Sequence, residues 1–191
     1  TAAIEIEPDY YWHYIDRGRV RLERRRFEGA AADFTRAIEI NDGLFLAYAL
    51  RGQAYDALEE IVPALADYEA ALDRRPDYSP AFARIGVLYY MTEEFDAAYD
   101  YFSRAFEEEQ RRFDLALLAA LSLKSGRGDA EARDFLNEIV NTAPRDSLHY
   151  DMMRYYLQPS NEGFVMNEVR DATDKTTKGQ MYFYLGAQLE L

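Results

Sequence analysis

The sequence predicts an all-α chain built as a row of two-helix units, and three observations carry that prediction. Only 10 Gly and 6 Pro stand in its 191 residues, against abundant Ala, Leu, Glu and Arg, which are strong helix formers. Glycine recurs at Gly18, Gly52 and Gly86, each 34 residues after the last. Three further columns keep the same interval: Ala30, Ala64 and Ala98; Phe34, Tyr68 and Phe102; Ala37, Ala71 and Ala105. A self-similarity of that length is the period of a two-helix solenoid unit.

Each element follows from these columns. In residues 11–44, 45–78 and 79–112 the first helix places its glycine one turn after an aromatic residue, Tyr14, Tyr48 or Phe82. The second helix carries small, large and small residues at intervals of four and three, which puts Ala64, Tyr68 and Ala71 on one stripe. A glycine in a helix interior costs about 1 kcal/mol relative to alanine. Gly52 is therefore predicted to lie against a neighbouring helix, where a larger side chain would force the two apart. Asn41-Asp42-Gly43 stops one helix, and Ser79-Pro80 starts another.

Residues 113–146 continue the register more weakly, with Ala116, Ala120, Ala132, Leu136 and Ile139 in the successive columns. Pro144 lies two periods after Pro76, each just past a second helix. Gly126 and Gly128 mark the turn inside this unit, so Arg127-Gly128-Asp129 reads as a connection in which Asp129 caps the next helix. The junction Glu107–Asp114 holds no breaker and is predicted to fuse or bend only slightly. Residues 147–178 form a degenerate fifth unit without a regular second helix. Residues 179–191 then restore the first-helix signature, Tyr182 and Gly186 standing four apart like Tyr48 and Gly52. This final helix has no partner following it and carries Tyr182, Phe183, Tyr184, Leu185 and Leu189, so either the chain is cut short or another chain covers the helix. Thr1 in place of methionine implies a processed or trimmed start.

Nothing divides the sequence, so a single repeat domain over residues 1–191 is expected. The formal charge of -13 opposes nonspecific binding to nucleic acid or to an anionic bilayer, and no apolar run reaches the length of a membrane span. Against that charge, Arg17, Arg19, Arg21, Arg24, Arg25 and Arg26 cluster, with Arg17, Arg21 and Arg24 on one helical face. They are either balanced by carboxylates elsewhere or an anchor for an acidic partner. The absence of cysteine removes thiolate chemistry, and only His13 and His149 are present. Asp9, His13 and Asp16 share one helix face but read as a solvated surface rather than a metal site. No phosphate cradle or nucleophile elbow occurs, so no enzyme activity, cofactor or metal is expected.

The columns of Gly, Ala and aromatic residues resemble the tetratricopeptide repeat family. That resemblance implies antiparallel helix pairs stacked in a right-handed superhelical solenoid, about five repeats plus a final unpaired helix. It also implies a concave groove lined by repeat positions 2, 5, 9, 12 and 13. Those positions include Trp12, Ile15, Arg19, Leu22 and Gln53, then Val87, Tyr90, Met91, Leu117 and Leu121, with Tyr155 and Phe183 continuing the line. Members that clamp a terminal carboxylate carry lysine and asparagine where this chain has Ile15 and Arg19, and Pro80 stands where a later lysine belongs. The groove is instead suited to an apolar peptide or helix, with Val87, Tyr90, Met91, Leu117, Leu121 and Tyr155 as anchors and Arg19 and Gln53 as polar readers. It is open to such a partner unless the chain's own termini or a second copy fill it. The expected role is a non-catalytic interaction scaffold. The alternative is self-association, with a homodimer formed through the groove or the last helix. The tail from Arg170 onward is also similar to that of bacterial outer-membrane tetratricopeptide lipoproteins, which implies a periplasmic adaptor; without that likeness the expectation is cytoplasmic. The lipidated cysteine that such a protein requires is not in this sequence.

Overall fold

The computed structural model describes residues 2–190. All regular elements among them are helices, and the chain divides into two compact units, residues 1–81 and 82–191. Each repeat in a solenoid packs on its neighbours alone, so compactness is local in such an array.

In the first unit, α1 (Ala2–Ile6) precedes two helix pairs: α2 (Tyr11–Glu23) with α3 (Phe27–Ile40), and α4 (Phe45–Ala57) with α5 (Ile61–Arg74). The glycine prediction holds. A Cβ on Gly18 would come within 2.5 Å of the Phe34 ring, and one on Gly52 within 3.2 Å of the Tyr68 ring and 3.3 Å of the Ala64 carbonyl. Around these contacts Ala30, Phe34, Ala37, Ala54, Ala64 and Ala71 are wholly buried. Asn41 ends α3 by accepting a hydrogen bond from the Gly43 amide on its Oδ1. The helices of each pair are joined by a residue in the left-handed region, Arg25 (φ 55°) and Glu59 (φ 62°), and Glu93 (φ 62°) repeats the turn one period later. Glu60 N–H donates to the Tyr55 carbonyl and Glu94 N–H to that of Tyr89, the closing bond of a helix-ending turn usually built on glycine.

The second unit opens in α6 (Pro80–Met91), whose Gly86 meets the Phe102 ring of α7 (Phe95–Glu108) at 2.8 Å for a notional Cβ. Next come α8 (Phe113–Arg127) and α9 (Asp129–Ile139), then α10 (Leu148–Leu157), α11 (Glu162–Asp171) and α12 (Lys175–Glu190). Here the structure corrects several expectations. The junction without a breaker is a full turn: α7 stops at Glu108, α8 starts at Phe113, and Phe106 packs on Phe113 across it. Arg112 N–H bonds the Glu109 carbonyl, and its guanidinium holds both Asp114 oxygens, so side-chain packing and a local ion pair break the helix where glycine and proline are absent. Gly128 does supply the strained turn (φ 102°), but Asp129 is the first residue of α9 rather than its cap and pairs with Arg133. The fifth unit has a second helix after all, α11, entered through a 3-10 turn at Pro159–Asn161.

The last helix is not unpaired. Met181, Tyr184 and Leu185 are buried in one cluster with Phe113, Leu117, Ala120, Met152, Tyr155 and Tyr156, so α12 lies against α8, α10 and α11. Of its predicted apolar row only Tyr182 and Phe183 remain exposed, while the Leu189 side chain lies outside the described residues. Gly186 does not repeat the role of Gly52: nothing lies within 4 Å of a Cβ built on it, nor on Gly179.

Candidate functional site

Val87, Tyr90 and Met91 stand at i, i+3 and i+4 of α6 and therefore share a face. Phe95 and Phe102 of α7, Leu118 of α8 and Phe183 of α12 complete a cavity of about 560 Å³ whose one charged lining residue is Glu93. Phe102 floors it, fully buried, and Tyr90 packs edge-on against Phe95 with ring centroids 5.3 Å apart. The rim is open, for Met91 is 58% exposed, Phe183 49% and Val87 37%. Beyond the Phe183 ring a second hollow of about 560 Å³ runs along α12, between Tyr90, Phe95, Ser125, Tyr182, Gly186 and Ala187. Glu93, in the left-handed turn after α6, is exposed and lines the first cavity.

The predicted groove residues separate into three groups. Val87, Tyr90 and Met91 come together in this cavity. Arg19 and Gln53 are exposed in the first unit, around a hollow of about 270 Å³ with Leu22, Glu23, Phe27 and Ala57. Leu117, Leu121 and Tyr155 are buried and offer no surface to a ligand. For Leu117 and Tyr155 the physical reason lies in α12, whose Met181, Tyr184 and Leu185 share one buried cluster with them where the groove implied by the resemblance would be open. Tyr184 hydroxyl donates to the Asp114 carbonyl at 3.0 Å, and Tyr156 hydroxyl donates to the Tyr184 carbonyl at 2.9 Å. Burial pushes both phenols well above the usual tyrosine range. Lys124, with 7% of its side chain exposed, donates to Gln188 Oε1 at 2.8 Å. Desolvation lowers its pKa, partly offset by Asp129 at 3.8 Å.

Two of the clustered arginines, Arg17 and Arg21, are structural, while Arg19, Arg24, Arg25 and Arg26 are exposed. Arg17 Nε donates to both Asp33 oxygens at 3.1 and 3.0 Å, and Arg21 Nη1 reaches Asp33 Oδ2 at 2.7 Å. One period later Arg51 holds Asp67 through two bonds of 2.7 Å and reaches Thr35 Oγ1 at 3.0 Å. These bonds raise the pKa of Arg17 and Arg51 above the ordinary value, against the opposing effect of their burial. Sequence reasoning missed this pairing. The signal was present, because arginine precedes the glycine and aspartate precedes the ring in both repeats, a further pair of columns at the same interval. His13 faces Glu7 at 3.2 Å, and among the described residues no three His, Asp or Glu side chains are grouped to hold a metal ion.

The chain matches no protein-family model. Its sequence is 32% identical over 108 residues, 56% of the chain, to tetratricopeptide repeat protein 6 of Homo sapiens; it spans only 20% of that protein's length. Its fold matches the crystal structure of YrrB, described as a TPR protein with an unusual peptide-binding site, over 100% of this chain and 90% of that one (TM-score 0.70, 19% identity). The chain has the tetratricopeptide-repeat fold. Similar tetratricopeptide folds include MamA of Desulfovibrio magneticus RS-1, matched over 86% of this chain and 97% of that one (TM-score 0.71, 15% identity). They also include the first TPR of Spaghetti (RPAP3) bound to an HSP90 peptide, matched over 60% of this chain and 91% of that one (TM-score 0.57, 16% identity). No described helix of this tetratricopeptide chain is long and apolar enough to cross a membrane.

Proposed function

We propose that this protein is a non-catalytic interaction scaffold that takes a bulky apolar side chain of a protein partner into the cavity formed by Val87, Tyr90, Met91, Phe102 and Phe183. The carrying observation is that cavity itself: aromatic and thioether walls, an open mouth, and Glu93 as its one charged lining residue. Flexible thioethers and rigid rings suit a pocket that grips an apolar anchor, and Glu93 favours a lysine or arginine beside that anchor on the partner. The similar fold bound to an HSP90 peptide, and that of YrrB with its described peptide-binding site, support a protein partner in general. Arg19 and Gln53, exposed around the separate hollow of the first unit, serve as polar readers there.

The test is Val87→Glu combined with Met91→Glu, both exposed and therefore compatible with folding. The double variant should lose partners that the parent captures from a cell extract while keeping its helical circular dichroism. Undiminished capture would remove the cavity from the account. Self-association is a second reading, favoured by Tyr182 and Phe183 standing exposed beside the open space at Gly186. Light scattering separates the two, since a monomer at tens of micromolar argues against a homodimer.

A further inference from the structure

Besides the open cavity, the second unit contains a seat that already holds a helix. Met181, Tyr184 and Leu185 of α12, at i, i+3 and i+4, fill the surface of α8 and α10 that the repeat register assigns to ligand contact, burying Leu117 and Tyr155. Two features set this contact apart from those between paired helices. First, α12 carries two interior glycines with open space around both, so each weakens the helix without the close backbone approach that Gly18, Gly52 and Gly86 obtain in return. Second, where the paired helices of the first unit are held by arginine gripping Asp33 and Asp67, the polar fastenings of α12 to α8 are the single bonds from Tyr184 to the Asp114 carbonyl and from Lys124 to Gln188.

We propose that α12 is a displaceable occupant of this seat, and that an amphipathic helix of a protein partner, with bulky apolar side chains at i, i+3 and i+4, takes it over. This rests on the scaffold reading above and adds the partner's pattern, which the chain itself displays as Met-x-x-Tyr-Leu. The resident helix then sets a threshold, because apparent affinity falls in proportion to the fraction of molecules in which the seat is open.

The probe is a fluorescent peptide of residues 175–190 titrated into the full chain and followed by anisotropy, beside native-state hydrogen exchange. The chain should bind the peptide, and a peptide carrying Tyr184→Ala with Leu185→Ala should not bind. Gly179→Ala together with Gly186→Ala in the protein has room for both methyls and strengthens the resident helix, so peptide affinity should fall about thirtyfold. Tyr184→Phe in the protein removes the bond to Asp114 and should tighten peptide binding several-fold, with faster exchange of the α12 amides than of α8. Equal peptide affinity in all three proteins, no binding at all, or exchange of α12 and α8 in a single shared opening would overturn the proposal. Failure of the scaffold reading is distinguishable, because it is read from partner capture by the Val87→Glu, Met91→Glu variant, whereas this proposal is read from the 175–190 peptide on proteins that keep Val87 and Met91, which meet α12 at Phe183.

Discussion

The two units solve the same packing problem by different means. In the first, small residues and rings alternate in strict register, and each helix pair is pinned by a buried carboxylate: Asp33 under Arg17 and Arg21, Asp67 under Arg51. In the second, the corresponding columns carry Ile85 and Tyr101, the register loosens, and a larger cluster of Met, Tyr, Phe and Leu side chains gathers the last three helices around α8. The regular columns persist through Gly86, Ala98, Phe102 and Ala105, and the apolar cavity lies where that third repeat meets the individually fitted side chains Leu118 and Phe183.

Breaking the pins should have the largest effect. Asp67→Ala leaves the Arg51 guanidinium in a partly buried position without its bidentate partner, a loss of about 3 kcal/mol. Trp12, the one tryptophan, lies in the first unit and reports it selectively. Its fluorescence transition in urea should move to lower denaturant in Asp67→Ala; an unchanged midpoint would mean that the pair contributes nothing net. The packing contrast comes next. Gly18→Ala pushes a methyl into the Phe34 ring, with strain of about 2 kcal/mol. The same Trp12 transition should register it, and a neutral result would show that the ring has room to move.

Much of this fold was legible because it is periodic. Gly18, Gly52 and Gly86 announce a close approach in the sequence itself, and the rings that meet them sit 16 residues later. The turn at Gln110 and Arg111 was not legible, since no residue there breaks a helix locally and the break comes from Arg112 on Asp114 and from Phe106 on Phe113. The candidate site divides in the same way. Val87, Tyr90 and Met91 were named from the groove positions that the family resemblance implies and share a helix face within one repeat, whereas the burial of Leu117 and Tyr155 depends on where α12 lands. Tyr182 and Gly186 copied the spacing of a first helix, but spacing does not state which face finds a partner, and the face bearing Tyr184 and Leu185 is the buried one.

The smallest predicted effect sharpens the comparison from the side of the second unit. His149 on α10 lines a hollow of about 820 Å³ with Phe106, Phe113, Ile139 and Pro144, alongside Glu107, Arg111 and Glu138, and its buried Nε2 has no hydrogen-bond partner. Burial lowers its pKa below 6.5; Asp114 opposes that shift, and Arg112 adds to it. The folded imidazole is therefore neutral where the unfolded one takes up a proton. Stability from this group is complete above pH 6.5 and declines as pH falls from there toward the depressed folded value. His149→Leu cannot titrate, so its stability should fall less than the parent's between pH 7.5 and pH 5, by a margin smaller than either substitution in the first unit. Urea melts followed by circular dichroism at the two pH values measure the difference. Equal losses in both proteins would mean that the imidazole reaches water inside the hollow, and that this unit's loose packing admits solvent where the first unit's register shuts it out.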